Sequence, residues 1–195
     1  MTEQQPYQVV RPYDGFELRR YPAHLMAEVE VAGSFTDAGN RAFGVLAGFI
    51  GGRNSRAAKV AMTAPVVQEV ASTRIAMTAP VVQEPGSGPR RHVVGFVMPA
   101  GSTLETLPTP TDPRVHLRAV EEHLAAARRF AGRWSARRHD AEVDALVESL
   151  VRAGFRPTGP VSFARFDPPW TPWPLRRNEV VVPVTDETTD DPGGA

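Results

Sequence analysis

The chain has 195 residues, 42% of them hydrophobic, with 22 basic residues against 22 acidic and no cysteine. That length fits one domain with a sizeable core. Balanced charge gives no pull toward nucleic acid or an anionic membrane surface, and without cysteine there is no disulfide, thiolate metal ligand or cysteine nucleophile.

No apolar run approaches the ~20 residues of a bilayer-spanning helix. The stretch from Met1 to Pro6 is polar and lacks a basic-then-apolar leader pattern. The expectation is a soluble cytoplasmic protein: one domain over residues 1–184, then an acidic, Gly/Pro-ended tail over 185–195 that is disordered.

Along the chain, Pro22 marks a turn. Ala27, Val29 and Val31 alternate with Glu28 and Glu30, which predicts a half-buried strand. Phe35, Ala42, Phe43, Leu46, Phe49 and Ile50 follow at helical spacing. Ser34 or Thr36 is placed to cap that helix, and Gly51-Gly52 to end it. A duplication comes next: Ala-Met-Thr-Ala-Pro-Val-Val-Gln-Glu occurs at 61–69 and again, unchanged, at 76–84. His92 to Met98 is valine-rich and reads as a strand. Pro99, Pro108, Pro110 and Pro113 punctuate the following turns.

Val120 to Arg133 has helical propensity, but a weaker repeat contradicts it. At an offset of 99, Leu18, Arg19, His24, Leu25, Ala27, Ala32 and Gly33 recur as Leu117, Arg118, His123, Leu124, Ala126, Ala131 and Gly132. The repeat lays this segment over the first-half strand, and tertiary context overrides propensity. The chain is therefore expected to consist of two similar halves. The second half enters its own helix, with Ser135 as cap, Val143, Leu146, Val147 and Leu150 as stripe, and Gly154 as stop. Val161 to Asp167 and Asn178 to Val184 complete the strands.

Catalytic signatures are missing. Gly48-x-x-Gly51-Gly52 sits at a helix end, where it caps and does not cradle phosphate. His116 and His123 lack zinc spacing and a third ligand. No Gly-x-Ser-x-Gly elbow occurs. Met26, Met62, Met77 and Met98 fall on or near strands and suit an irregular apolar surface. Arg177 and Glu179 read as structural ion-pair partners.

Three segments in order resemble the SOUL haem-binding family: Met-Thr-Ala-Pro-Val, Phe96-Val97-Met98-Pro99, and Asp167-Pro168-Pro169 followed by Arg176-Arg177-Asn178-Glu179-Val180. Phe16 to Tyr21 is similar to the family's first strand, and Phe130-Ala131-Gly132 to its Phe-Ser/Gly-Gly step. The resemblance implies an α+β fold, a distorted eight-stranded antiparallel barrel with two helices built from two similar halves. It implies reversible binding of haem or a related tetrapyrrole as a small-molecule ligand; with the catalytic set missing, the expectation is a non-catalytic carrier or buffer, and the balanced charge and lack of a spanning run add no nucleic-acid or membrane partner. Carried over to this chain, it implicates Phe43, Leu46 and Ile50 on the first helix, Arg53 in the loop after it, and Phe166. Where some members place an iron-ligating histidine this chain has Arg20; His24, four residues on, is the candidate metal ligand. The alternative implied by the shared architecture is an effector-binding domain for a different apolar or cationic molecule.

Overall fold

The computed structural model describes residues 3–56, 59–60, 63–64, 66–70, 91–132, 135–167 and 171–186. The first half contains β1 (Glu3–Gln4), β2 (Gln8–Tyr13), β3 (Phe16–Tyr21), β4 (His24–Ala32) and α1 (Phe35–Ile50), then β5 (Thr63–Ala64), β6 (Val66–Val70) and β7 (Arg91–Val97). The second contains β8 (Val115–Val120), β9 (His123–Ala131), α2 (Ala136–Ala153), β10 (Phe155–Pro157), β11 (Ser162–Arg165), a 3-10 turn (Trp173–Leu175) and β12 (Arg177–Asp186).

The two halves repeat as expected. β3 and β4 start and end 99 residues before β8 and β9. Gly33 and Gly132 both hold positive φ, 139° and 120°, where the chain turns from strand toward helix. Pairing crosses the halves: β3 runs antiparallel to β9 with Tyr21 opposite His123, and β4 to β8 with His24 opposite Val120. These two registers map onto each other under the 99-residue shift. The segment of helical propensity is a strand, β9. Its three consecutive alanines, Ala125 to Ala127, are nearly inaccessible between β3 and β12.

The helix caps are those read from the sequence. The Ser34 and Ser135 hydroxyls accept from the N–H groups of Asp37 and Arg138, and Gly154 closes α2 at φ 76°. In α2 the buried line is Glu142, Leu146, Ser149 and Leu150, with Val143 and Val147 only half-buried. Glu142 is tolerated there because Arg128 and Arg138 both pair with it.

The main sheet runs β2-β3-β9-β12-β11-β6-β7-β4-β8, with β10 attached to β12. It is antiparallel and curls, but among the described residues nothing joins the edge strands β2 and β8. The fold is α+β with two helices, as expected. Among the described residues the sheet is curled and half-barrel-like, without closure into the expected eight-stranded barrel. β12 also runs to Asp186, pairing with Phe155, so it enters the expected tail by two residues. The rest of that tail and the second copy of the duplicated string lie outside the described residues. The first copy supplies β5 and β6.

Strand parity decides what each face of the sheet does. Leu25, Ala27 and Val29 of β4 pack with Ala42, Leu46 and Phe49 of α1, and with Val94 and Phe96 of β7. Ala126 and Phe130 of β9 pack with Leu146 and Leu150 of α2, and with Val180, Val182 and Val184 of β12. Each helix thus has its own helix-on-sheet core, to which the other half lends a strand: Phe16 and Leu18 of β3 under α2, Val115 and Leu117 of β8 under α1. The alternate residues, His24 and Met26 of β4 and His123 of β9, face the other side of the sheet, where a cavity lies.

Candidate functional site: a helix face and a cavity between the halves

Two features stand out, and the sheet separates them. The first is the outward side of α1. From Ala42 to Gly52 the chain carries no charged side chain, unusual for a helix surface facing water. Helical spacing lines up Asn40, Phe43, Gly44, Ala47 and Gly51 on that side. Phe43 is 44% exposed. Its ring meets the buried ring of Phe96 edge-on at 5.5 Å, which fixes its direction. A β-carbon on Gly44 would meet nothing within 4 Å, so the surface beside Phe43 is shallow and open.

Arg53 borders this surface. Its guanidinium lies over Gly48, so closely that a β-carbon there would sit 2.8 Å from Cζ. The loop that carries it is fixed. The Arg53 N–H donates to the Gly48 carbonyl (2.8 Å), and its own carbonyl accepts from the Thr111 hydroxyl (3.0 Å). The Asn54 amide caps the helix end by donating to the Phe49 carbonyl (3.0 Å).

The second feature is a cavity of about 340 Å³ lined by residues of both halves, including Tyr7, Tyr21, His24, His123, Phe166 and Glu179. At one side sits an enclosed ion-pair cluster. Glu179, 0% exposed, accepts from Arg19 (2.6 Å) and Arg177 (2.7 Å), and Arg19 also pairs with Glu17. Burial works against the charge on Arg19, but Glu179 and Tyr21 outweigh it and hold the guanidinium firmly protonated. Burial pushes the Tyr21 hydroxyl up to about 12, so it stays neutral. The two arginines also back aromatic rings: Arg19 lies over Tyr7 at 4.1 Å and Arg177 over Phe166 at 4.0 Å. The pairing of Arg177 with Glu179 expected from the sequence is therefore present, as part of a larger cluster.

The histidines are symmetry mates. His24 Nδ1 lies 2.9 Å from the Pro22 carbonyl, and His123 Nδ1 lies 2.8 Å from the Glu121 carbonyl, each two residues back along the chain. A carbonyl only accepts, so each neutral ring carries its proton on Nδ1 and a lone pair on Nε2. The rings are 6.1 Å apart, and His123 stacks on Tyr21 at 5.6 Å.

Burial lowers the His24 pKa. The unfolded chain then takes up a proton that the folded chain resists, and stability falls as pH drops below the ordinary value of 6.5. His139 is shifted the same way, also by burial. His24→Gln is expected to flatten part of this acid slope without removing it. Urea midpoints at neutral and mildly acidic pH, for both proteins, check this.

The sequence-predicted residues are split by this geometry. His24 and Phe166 line the cavity, while no residue of α1 does. Phe43 sits at the flank of α1, half exposed and touching Phe96, and Arg53 borders the outward side. Leu46 is enclosed in the core beneath them, and Ile50 is half-buried at its margin. Tyr7, Tyr21 and His123 were not singled out as site residues. The repeat that paired His123 with His24 was the available signal. Among the described residues, no cluster of three or more His, Cys, Asp or Glu is placed to hold a metal ion, and no helix is long and apolar enough to cross a membrane.

No curated protein matches the chain in sequence. Solved structures do match in fold. The C-terminal domain of EcmrR superimposes with a TM-score of 0.60 at 11% identity, covering 92% of this chain and 98% of that one. The EcmrR chain in a DNA complex gives 0.62 at 10% identity, over 92% of this chain and 58% of that one. A structure described as a hydrolase from Listeria innocua gives 0.56 at 14% identity, over 90% and 94%. At these identities the likeness is one of fold alone. The model of the SOUL heme-binding protein family matches residues 2–74 and 69–183, two stretches that overlap over 69–74, from the last residue of the first copy of the duplicated string. The chain belongs to the SOUL heme-binding protein family.

Proposed function

We propose that this protein binds haem or a related tetrapyrrole reversibly, as a carrier or buffer that does no chemistry on it, and that the macrocycle lies against the outward side of α1. The observation that carries this is the uncharged stretch from Ala42 to Gly52, with Phe43 exposed beside an open Gly44. A porphyrin is a broad apolar plate with acidic groups at one edge. A shallow surface of Gly44, Ala47 and Gly51 accepts such a plate, and Phe43 and Ile50 flank it. Each 100 Å² of apolar area covered contributes about 2.5 kcal/mol before association costs. In this reading Arg53, whose guanidinium lies over Gly48 at the border, pairs with a carboxylate of the ligand. Leu46 takes part by holding the helix to the sheet from below.

His24 is on the other face of the sheet, so this reading assigns no protein ligand to the iron. Titration with hemin, followed at the Soret band, is expected to show a saturable shift at micromolar protein. An iron-free porphyrin is expected to bind comparably. Arg53→Ala is expected to weaken binding by about 1–2 kcal/mol. Absence of a saturable shift removes the proposal, and unchanged affinity in Arg53→Ala removes the role of that residue.

A further inference from the structure

We propose that the cavity between the halves is a second binding site, distinct from the face of α1, for a small flat aromatic molecule that carries a hydrogen-bond donor, such as a phenol or an indole. The inference does not depend on the tetrapyrrole reading.

Size comes first. A cavity of about 150 Å³ holds benzene, so 340 Å³ accommodates roughly two rings and lies in the ordinary range for small-ligand pockets. The walls are flat. Tyr7, Tyr21, His123 and His24 form a continuous run of rings with successive centroids 5.6, 5.6 and 6.1 Å apart. Phe166 adds a further ring. Tyr7 and Phe166 each have a guanidinium over one face, and a single carboxylate, Glu179, holds both guanidinia. These rings are fixed plates, so ordering them on binding costs little.

The polar groups select the ligand. The cations at the cavity are engaged: Arg19 and Arg177 by Glu179, and Arg118 by Glu28 at 2.7 Å. The hydroxyls of Tyr7 and Tyr21 accept from Arg177 and Arg19. His24 Nε2 is met by the side-chain amide of Gln5 at 3.3 Å. Because His24 keeps its proton on Nδ1, the amide is the donor. His123 Nε2 carries the same lone pair and has no hydrogen-bond partner among the described residues. His123 Nε2 is an open acceptor and calls for a donor on the ligand, while the Tyr7 and Tyr21 hydroxyls, which accept from the arginines, keep their own hydrogens for an acceptor on it.

Calorimetric titration of the full chain with indole and with 1-methylindole, which lacks the N–H, tests the proposal. Indole is expected to bind saturably, and roughly 3- to 10-fold more tightly than 1-methylindole, the value of one hydrogen bond. His123→Phe keeps a flat ring and removes the acceptor. In that variant the preference for indole is expected to vanish while the hemin titration is unchanged. Equal binding of the two indoles by the wild-type chain overturns the donor selection. No binding of either, or tetraethylammonium binding in preference to indole, overturns the site. All three results stand on the unmodified protein, whether or not His123→Phe folds.

Discussion

Replacing Glu179 by alanine is expected to destabilise the fold by about 3–5 kcal/mol, the range seen when one member of a buried ion pair is removed. Glu179 is 0% exposed, and Arg19 beside it is 2% exposed. Without the carboxylate, Arg19 keeps Glu17 as its one anionic partner, Arg177 keeps only the neutral Tyr7 hydroxyl, and both guanidinia stay in place with less charge to balance them. Glu179→Gln keeps the volume but not the charge, and is expected to recover only part of the loss. Replacing Arg19 and Glu179 together by methionine is expected to cost less than the sum of the single changes, because no unpaired charge is left behind. Urea midpoints for the wild type, Glu179→Ala, Glu179→Gln, Arg19→Met, Glu179→Met and the double methionine variant measure this. A loss below about 1 kcal/mol in Glu179→Ala would mean that the cluster is solvated and is not the anchor described here.

Gly44→Glu is expected to weaken hemin binding at least tenfold while leaving the fold intact or slightly more stable. The reasons are separate. A β-carbon at Gly44 meets nothing within 4 Å, and replacing glycine inside a helix relieves roughly 0.5–1 kcal/mol of backbone entropy cost. The new side chain rises from the middle of the surface proposed to carry the macrocycle. It blocks that surface sterically and sets a carboxylate beside an acidic ligand. Stability and affinity therefore move in opposite directions, which unfolding cannot mimic. Thermal denaturation and Soret titration of the same preparation read both. Unchanged affinity would place the ligand elsewhere.

Much of the fold was legible because the repeat carries geometry as well as ancestry. Residues 123–131 have helical propensity, yet the 99-residue offset identified them as the counterpart of β4, and the two strands share their boundaries under that offset. The caps at Ser34, Ser135 and Gly154 were legible for a local reason: each satisfies or turns a helix end with its own side chain or backbone. Barrel closure was not legible. It depends on whether β2 and β8 meet, and no short-range pattern records the pairing of strands so far apart in the chain.

The candidate site was half legible. The apolar stripe of α1 marked the helix, but periodicity alone did not say that Leu46 is enclosed and Phe43 half exposed at the flank; packing on β4 and β7 decides it. His24 was grouped with the helix residues by resemblance, although strand parity separates them. It is one step out of phase with Leu25, Ala27 and Val29, so it points to the opposite face. The same parity sends His123 there. The cavity itself arises from residues spread between Gln5 and Pro183, and only the curled sheet brings them together.

The central claim is that a tetrapyrrole rests on the outward side of α1. Ferric haem broadens amide resonances close to its iron, so a hemin titration followed by amide correlation spectra of the isotopically labelled protein locates the ligand directly. The expected result is selective loss of signals from residues 40–53, with those of 21–26 and 118–123 retained. Loss of the cavity signals with the α1 signals intact, or no saturable change at all, would contradict the account.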